Sequence, residues 1–326
     1  MKKAIARTDR ISKEDFISIR RHFLGGSDSG AVCGVNPYKS ALDVWLEKTG
    51  RTSGGIEDNE KMFWGRALEG SIRDSFQTFS GLKAEPVNMM FTNTEADFLL
   101  ATPDAIVREN DGSVSVLEIK TTSAYNSDAW ADGNIPASYF MQVQKYLYVL
   151  ELSKGYICCL IGGQKFVWYP VPREDEIIAA MLSIERNFWY EHVLKDVPPE
   201  VTENSANGLT QLYPKSNGTS ILLSEEADRL ISEHQELKNV SKEIQKGIDL
   251  CENRLKALLG NSECGRTPSG YSVNWRNATS NRLDGSRLKK ERPDVYSEYL
   301  STTQCRRFSL SEPKGMTVEQ ESTKAS

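Results

Sequence analysis

Three charged side chains in an otherwise apolar stretch carry the chain's most evident chemistry. Asp104 follows Pro103, and Glu118 and Lys120 come later, in a P-D-x13-E-x-K spacing. Strand side chains alternate, so Glu118 and Lys120 project from one face and Ile119 from the other. Two carboxylates on neighbouring strands make an oxygen-donor site for Mg²⁺, with Mn²⁺ as a substitute. Such an ion takes a few protein oxygens and completes its shell with water and phosphate. The backbone carbonyl of Ile119 is a further candidate ligand. Lys120 beside the ion is placed to orient or deprotonate an attacking water and to offset charge on the phosphorus. E-x-K by itself is common. The preceding Pro-Asp and the apolar Val114, Val116 and Leu117 give it weight, because charges projecting from an apolar strand need partners.

The site depends on register. Residues 98–108 and 114–121 are expected to be strands flanking Asn110-Asp111-Gly112, a hairpin signal. A two-residue Asp-Gly loop sets Asp104 opposite Ile119 and spoils the site. A three-residue loop with Gly112 left-handed sets Asp104 opposite Glu118 and Ile106 opposite Val116, and that is the register expected. A helix with Phe16, Ile19, Arg20 and Phe23 is expected to stop at Gly25-Gly26, with Ser27-Asp28 capping the next. Short helical spacing covers 41–48. Leu68, Ile72, Phe76 and Phe79 mark a helix over 64–79. Pro136 opens a helix to about residue 152. Residues 156–161 and 165–171 form a second hairpin around Gly162-Gly163, and a helix runs from 174 to 195.

The expected fold is α/β, with a mixed central sheet flanked by helices, followed by a mainly helical C-terminal extension. The core is assigned to residues 1–198, a linker or surface loop to 199–220, and a helical region with short strands to 221–312. A disordered tail is expected over 313–326. From Ala227 to Leu258 apolar residues alternate spacings of three and four, either an oligomerising coiled coil or a helix packed on its own domain. Strands are expected at 271–279 and 306–310, and a helix at 284–300.

Composition narrows the alternatives. Six cysteines form no C-x-x-C pair, and three histidines stand far apart, which excludes a zinc site and histidine-based catalysis. Adjacent Cys158 and Cys159 lie in an apolar run and are expected to be buried thiols. Four cysteines bracketing the core in a spacing that suits an iron–sulphur cluster are not present. The net charge of −5 argues against a protein that coats nucleic acid, but not against an enzyme with a local basic channel. No apolar run is long enough for a membrane span, and the N-terminus lacks a signal peptide's apolar core. A cytoplasmic location is expected, the host cytoplasm if the chain is phage-encoded.

P-D-x13-E-x-K resembles the PD-(D/E)XK nuclease signature, which implies a restriction-endonuclease-like core. Further stretches resemble the YqaJ/lambda-exonuclease branch of phage recombination nucleases. They are residues 20–28 (RRHFLGGSD), 36–40 (NPYKS), 64–69 (WGRALE), 101–104 (ATPD), 117–122 (LEIKTT) and 142–147 (QVQKYL), in the family's order. The resemblance implies that Glu69 adds a helix-borne acidic metal ligand. It also implies that Gln142 and Tyr146, at i and i+4 on one helix face, line the site. Arg20 and Ser27, with Lys39, correspond to residues holding the 5′-phosphate of a DNA end. A glycine turn leading into a helix N-terminus suits an anion. Asp28 is discordant there: an acid in the first turn competes with phosphate unless it caps the helix.

The function implied is Mg²⁺-dependent 5′–3′ hydrolysis of double-stranded DNA, by in-line attack of a metal-activated water, leaving 3′ single-stranded overhangs for recombination. A ring-shaped homotrimer and a single-strand annealing partner are implied by the resemblance alone. The alternatives are another polarity or substrate on the same core (an endonuclease or single-strand exonuclease), or a non-catalytic DNA-binding or assembly protein using the heptad region. Lys289, Lys290, Arg292, Arg306 and Arg307 are further candidates for DNA contact.

Overall fold

The computed structural model describes residues 1–52, 59–303 and 305–311. The chain divides into two units, Met1–Pro214 and Lys215–Ser326.

The first unit opens with β1 (Lys2–Arg7), α1 (Lys13–Arg21), β2 (Leu24–Gly25), α2 (Gly26–Val32), α3 (Ala41–Lys48) and α4 (Glu60–Ser80). Strands β3 (Lys83–Pro86), β4 (Met89–Asn93), β5 (Ala96–Ala101), β6 (Ala105–Arg108) and β7 (Val114–Thr122) follow. Then come α5 (Ala137–Leu150), β8 (Lys154–Ile161), β9 (Lys165–Pro172), α6 (Asp175–Asn187), a π-helical extension Phe188–Val193, and α7 (Ala206–Leu212).

A mixed five-stranded sheet has the order β3-β6-β7-β8-β9, with β7 and β8 parallel and the other pairs antiparallel. A four-stranded sheet has the order β1-β4-β5-β2. The mixed sheet flanked by helices is the α/β architecture expected. One apolar cluster lies where α5 covers Val116 and Ile157. Another lies on the opposite face, where Ile72 and Phe76 of α4 meet Leu117, Ile119 and Cys158. Cys158 and Cys159 are both buried.

The continuous strand expected over 98–108 is two strands in different sheets. Thr102, Pro103 and Asp104 separate β5 from β6, because Pro103 has no N–H to donate to a ladder. The break frees the Asp104 side chain from strand geometry, while its carbonyl still accepts from Val87 N–H at 3.1 Å.

The N-terminal helix also ends differently. It stops at Arg21, and Leu24-Gly25 pairs in parallel with Leu99-Leu100. Gly25, not Ser27, is the N-cap of α2, and Asp28 accepts from Gly25 N–H at 3.0 Å. Gly26 is thus the first helical residue rather than a stop.

The stretch expected as a linker over 199–220 is partly built into the first unit. Gly208 of α7 is buried, a Cβ there would stand 3.0 Å from Leu42 Cγ, and Asn207 donates to Asp43 at 3.2 Å. Hence the first unit extends to Pro214.

The second unit holds α8 (Glu225–Leu259), the hairpin β10 (Cys264–Arg266) and β11 (Ser272–Asn274), and helices α9 (Gly285–Glu291) and α10 (Pro293–Glu298). The helix expected over 284–300 is split, since Pro293 takes the first position of a new helix. Of the strand expected over 271–279, only three residues pair. Residues 306–310 form no strand. The tail expected to be disordered over 313–326 lies outside the described residues.

Candidate active site

The β6–β7 hairpin has the three-residue loop. Ile106 faces Val116, and Glu109 N–H donates to Ser113 O at 3.0 Å, which leaves residues 110–112 as the turn. Gly112 supplies the left-handed φ of +85° that the turn requires. Continuing this register brings Asp104 level with Glu118.

Asp104 then reaches across the strand gap: its Oδ2 accepts from Ile119 N–H at 2.7 Å. Glu118, 3% exposed, accepts on Oε1 from Lys120 Nζ at 2.5 Å and from Gln142 Nε2 at 2.6 Å. Lys120 also donates to Gln142 Oε1 at 3.2 Å, and its ammonium lies 4.9 Å from the Tyr139 ring centroid. Gln142 Nε2 donates to Tyr146 OH, which in turn donates to Thr102 O. Strand β7 and helix α5 are therefore joined by one polar network inside an apolar enclosure. The other carboxylate oxygen, Glu118 Oε2, is buried with no hydrogen-bond partner.

Electrostatics follow from this crowding. Burial, then the neighbouring charge of Asp104, push the Glu118 carboxyl up to about 8 despite Lys120. Burial likewise raises Asp104, against the opposing effects of Lys120 and the Ile119 N–H. Glu69, on the half-covered side of α4, is raised by burial and then by Asp104. For Lys120, burial acts to lower the pKa, but Glu118 and Asp104 outweigh it and the ammonium is held charged. Glu69, which comes from the helix on the opposite face of the sheet, is thus within electrostatic reach of both other acids.

Among the described residues, no three acidic, cysteine or histidine side chains are already gathered as a metal cage. The protein's own donors fill that role, since Lys120 Nζ and Ile119 N–H each take one carboxylate oxygen. The donor set nevertheless fits a hard divalent cation. It is all oxygen, it includes the orphaned Glu118 Oε2, and its three carboxyls resist charging until positive charge is supplied.

A second polar cluster lies on α1, α2 and α3. Arg20 Nη2 donates to Ser27 Oγ at 2.8 Å, whereas Arg21 turns away to the carbonyl of Thr52. Asp28 is fully buried, with Lys48 Nζ at 2.7 Å, Lys39 Nζ at 3.6 Å and Arg20 Nη2 at 3.8 Å. Burial opposes its charge, but the three cations outweigh that and hold the carboxyl well below its usual range. The discord seen in the sequence is resolved: Asp28 caps α2 and serves as the internal counter-ion of a cationic group. Lys48 was missed, because a lysine ending an amphipathic helix looks like a solvated charge. It is nearly buried, while Arg20 and Lys39 retain access to solvent.

The two clusters meet at Gly26. A Cβ there would lie 2.5 Å from Tyr146 Cε1 and 2.9 Å from Gln142 Cγ, and one at Gly30 would lie 2.7 Å from Ser138 Cβ. Helix α2 therefore rests backbone-first on α5 at Gly26 and, one turn on, at Gly30; Gly26 is expected from the sequence only as a helix stop.

A model of the YqaJ-like viral recombinase domain matches residues 15–153. The YqaJ protein of Bacillus subtilis (strain 168) is 34% identical over 313 residues, covering 94% of this chain and 97% of that protein. Protein R354 of Acanthamoeba polyphaga mimivirus is 30% identical over 162 residues, 47% of this chain and 29% of that protein. Among solved structures, the alkaline exonuclease of Laribacter hongkongensis is 18% identical, with a TM-score of 0.49 over 57% of this chain and 94% of that one. A phage-related exonuclease from Haemophilus somnus 129PT is 14% identical, with a TM-score of 0.37 over 56% of this chain and 99% of that one. The domain match spans both clusters, and the Bacillus protein aligns along almost its whole length. The chain belongs to the YqaJ-like viral recombinase family.

Proposed function

We propose that the protein is a divalent-metal-dependent deoxyribonuclease that degrades double-stranded DNA from 5′ ends and leaves 3′ overhangs for recombination. The observation that carries the catalytic part is Glu118: a buried carboxylate with one oxygen held by Lys120 and Gln142 and the other without a partner. Burying a carboxylate in that state is costly unless a ligand completes it. Asp104, Glu118, the Ile119 carbonyl and Glu69 are the residues that would hold the ion, with Mg²⁺ expected and Mn²⁺ as a substitute. When bound, the ion supplies Lewis acidity and lowers the pKa of water.

The chain's own residues do the rest. Lys120 is held charged beside the carboxylates, where it orients the attacking water and offers positive charge to the phosphate. Gln142 fixes Glu118 and Lys120 at once, and Tyr146 fixes Gln142, so the group is preorganised before substrate arrives. Arg20, Ser27 and Lys39 are the proposed seat for the 5′-phosphate. Arg20 and Lys39 keep solvent access while Asp28 offsets part of their mutual repulsion. Polarity and duplex preference rest on this seat together with the family resemblance; a homotrimer and an annealing-protein partner rest on the resemblance alone.

The test uses 3′-labelled duplexes with a 5′-phosphate or a 5′-hydroxyl, incubated with Mg²⁺ or with EDTA. Stepwise loss from the 5′ end, dependent on Mg²⁺ and faster with the phosphate, is expected. Hydrolysis indifferent to the 5′ group removes the Arg20 and Ser27 assignment. Calorimetry showing no Mg²⁺ or Mn²⁺ binding removes the enzyme.

A further inference from the structure

The second unit carries its own charge pattern. Residues 264–311 hold nine lysines and arginines against four acids, a local balance of +5 in a chain whose net charge is −5. The same stretch holds five aromatic residues, Tyr271, Trp275, Tyr296, Tyr299 and Phe308. Trp275 is 52% exposed, and Tyr271, Tyr299 and Phe308 more so. Large rings are ordinarily covered because of the apolar area they carry, so several left exposed among cations mark a surface that receives something.

The elements gather these groups locally. In the β10–β11 hairpin Arg266 pairs with Ser272, beside Tyr271, and the strand runs directly into Trp275 and Arg276. Helix α9 carries Arg287, Lys289 and Lys290, Arg292 joins it to α10, which carries Tyr296 and ends at Tyr299, and Lys289 Nζ lies 5.7 Å from the Tyr296 ring centroid. Arg287 is paired with Glu291 and Arg292 with Asp294, each at 2.9 Å. Both pairs are solvent-exposed, hence weak and open to exchange for a phosphate.

We propose that residues 264–303 and 305–311 form a second nucleic-acid site that binds single-stranded DNA, separate from the carboxylate centre. Cations interleaved with exposed rings suit a strand whose phosphates meet lysine and arginine while unpaired bases stack on the rings. A duplex keeps its base faces internal and offers nothing to those rings. A membrane surface would call for an extended amphipathic helix, whereas α9 and α10 have seven and six residues. The choice of DNA over RNA rests on the nuclease proposal, but single-strand binding does not.

The experiment measures fluorescence anisotropy of a labelled single strand of about twenty nucleotides on the full chain. EDTA is present, so no hydrolysis is involved. Expected are binding that weakens steeply with salt and an affinity loss of about tenfold or more in Trp275→Ala/Tyr299→Ala. A similar loss is expected in Lys289→Glu/Lys290→Glu. Affinity for a blunt duplex should stay within about twofold in both variants. Single-strand affinity unchanged in both variants overturns the proposal, as does equal loss for the duplex. A matching RNA strand that binds more tightly than DNA overturns the choice of DNA. Cleavage of duplex DNA is not read in this assay, so failure here and failure of the nuclease proposal are separate results.

Discussion

Lys145 Nζ and Glu185 Oε1 form an ion pair at 3.0 Å with both side chains wholly removed from solvent. The same ammonium donates to the carbonyls of Leu24 and Gly25, at 3.3 and 2.9 Å. Lys145 lies between Gln144 and Tyr146 on α5, so the helix that carries the polar network also anchors the strand leading into α2. Glu185→Leu leaves an uncompensated buried charge and should cost about 3–5 kcal/mol. Lys145→Met/Glu185→Leu should recover much of that stability, yet bind 5′-phosphorylated ends more weakly because the anchor on Leu24 and Gly25 is gone. Urea denaturation and end-binding titrations check the two halves. Single and double variants all within about 0.5 kcal/mol of the parent would deny the pair any structural weight.

Stability without metal should fall as pH rises. The folded state keeps the Glu118 proton up to about 8, because burial and Asp104 oppose its charge. The unfolded chain releases that proton in the ordinary carboxylate range. The folded state therefore binds more protons between those limits and loses stability as pH increases through them. Mg²⁺ binds the deprotonated form, so its protection should be greatest on the alkaline side. Melting temperatures in EDTA and in Mg²⁺, across pH, test this. Glu118→Gln should flatten the EDTA profile, and a parent profile already flat would contradict the assignment.

Asp104→Ala should lose metal binding and activity while retaining DNA. Lys120→Ala should retain the metal and lose about 10²–10⁴ in rate. Calorimetry and single-turnover hydrolysis separate the two effects. Near-normal turnover in Lys120→Ala would remove the lysine from the chemistry.

Gly26→Ala tests the contact between the two clusters. The added methyl must displace the Tyr146 ring and the Gln142 stem, since it would stand at 2.5 and 2.9 Å from them. A destabilisation of about 1–3 kcal/mol is expected. The rate should fall further than stability alone explains, because Gln142 holds both Glu118 and Lys120. A variant that folds and cleaves like the parent would show that α2 does not fix α5.

What the sequence disclosed was mostly local. Alternation along 114–122 and the Asn-Asp-Gly turn were enough to set Ile106 against Val116, because period and turn chemistry are written in neighbouring residues. The hand-over between sheets at Pro103 was missed, although proline's missing donor hints at it. Lys48 and Lys145 were missed for another reason. Their partners, Asp28 and Glu185, are distant in sequence, and nothing local separates a buried lysine from a solvated one. The packing of α7 on α3 was hidden in the same way behind a polar composition.

The loop 110–112 acts as a parity setting. Its odd length decides whether Asp104 meets Glu118 or Ile119 across the sheet, although the turn itself is solvent-exposed. Exposed turns ordinarily accept insertions and deletions freely. Here a single residue added or removed would invert which face of β6 looks toward β7's carboxylate. A change in length at this remote turn should therefore be as damaging as a substitution among the acids, while a change of side chain at Asn110, away from the left-handed Gly112, should pass unnoticed.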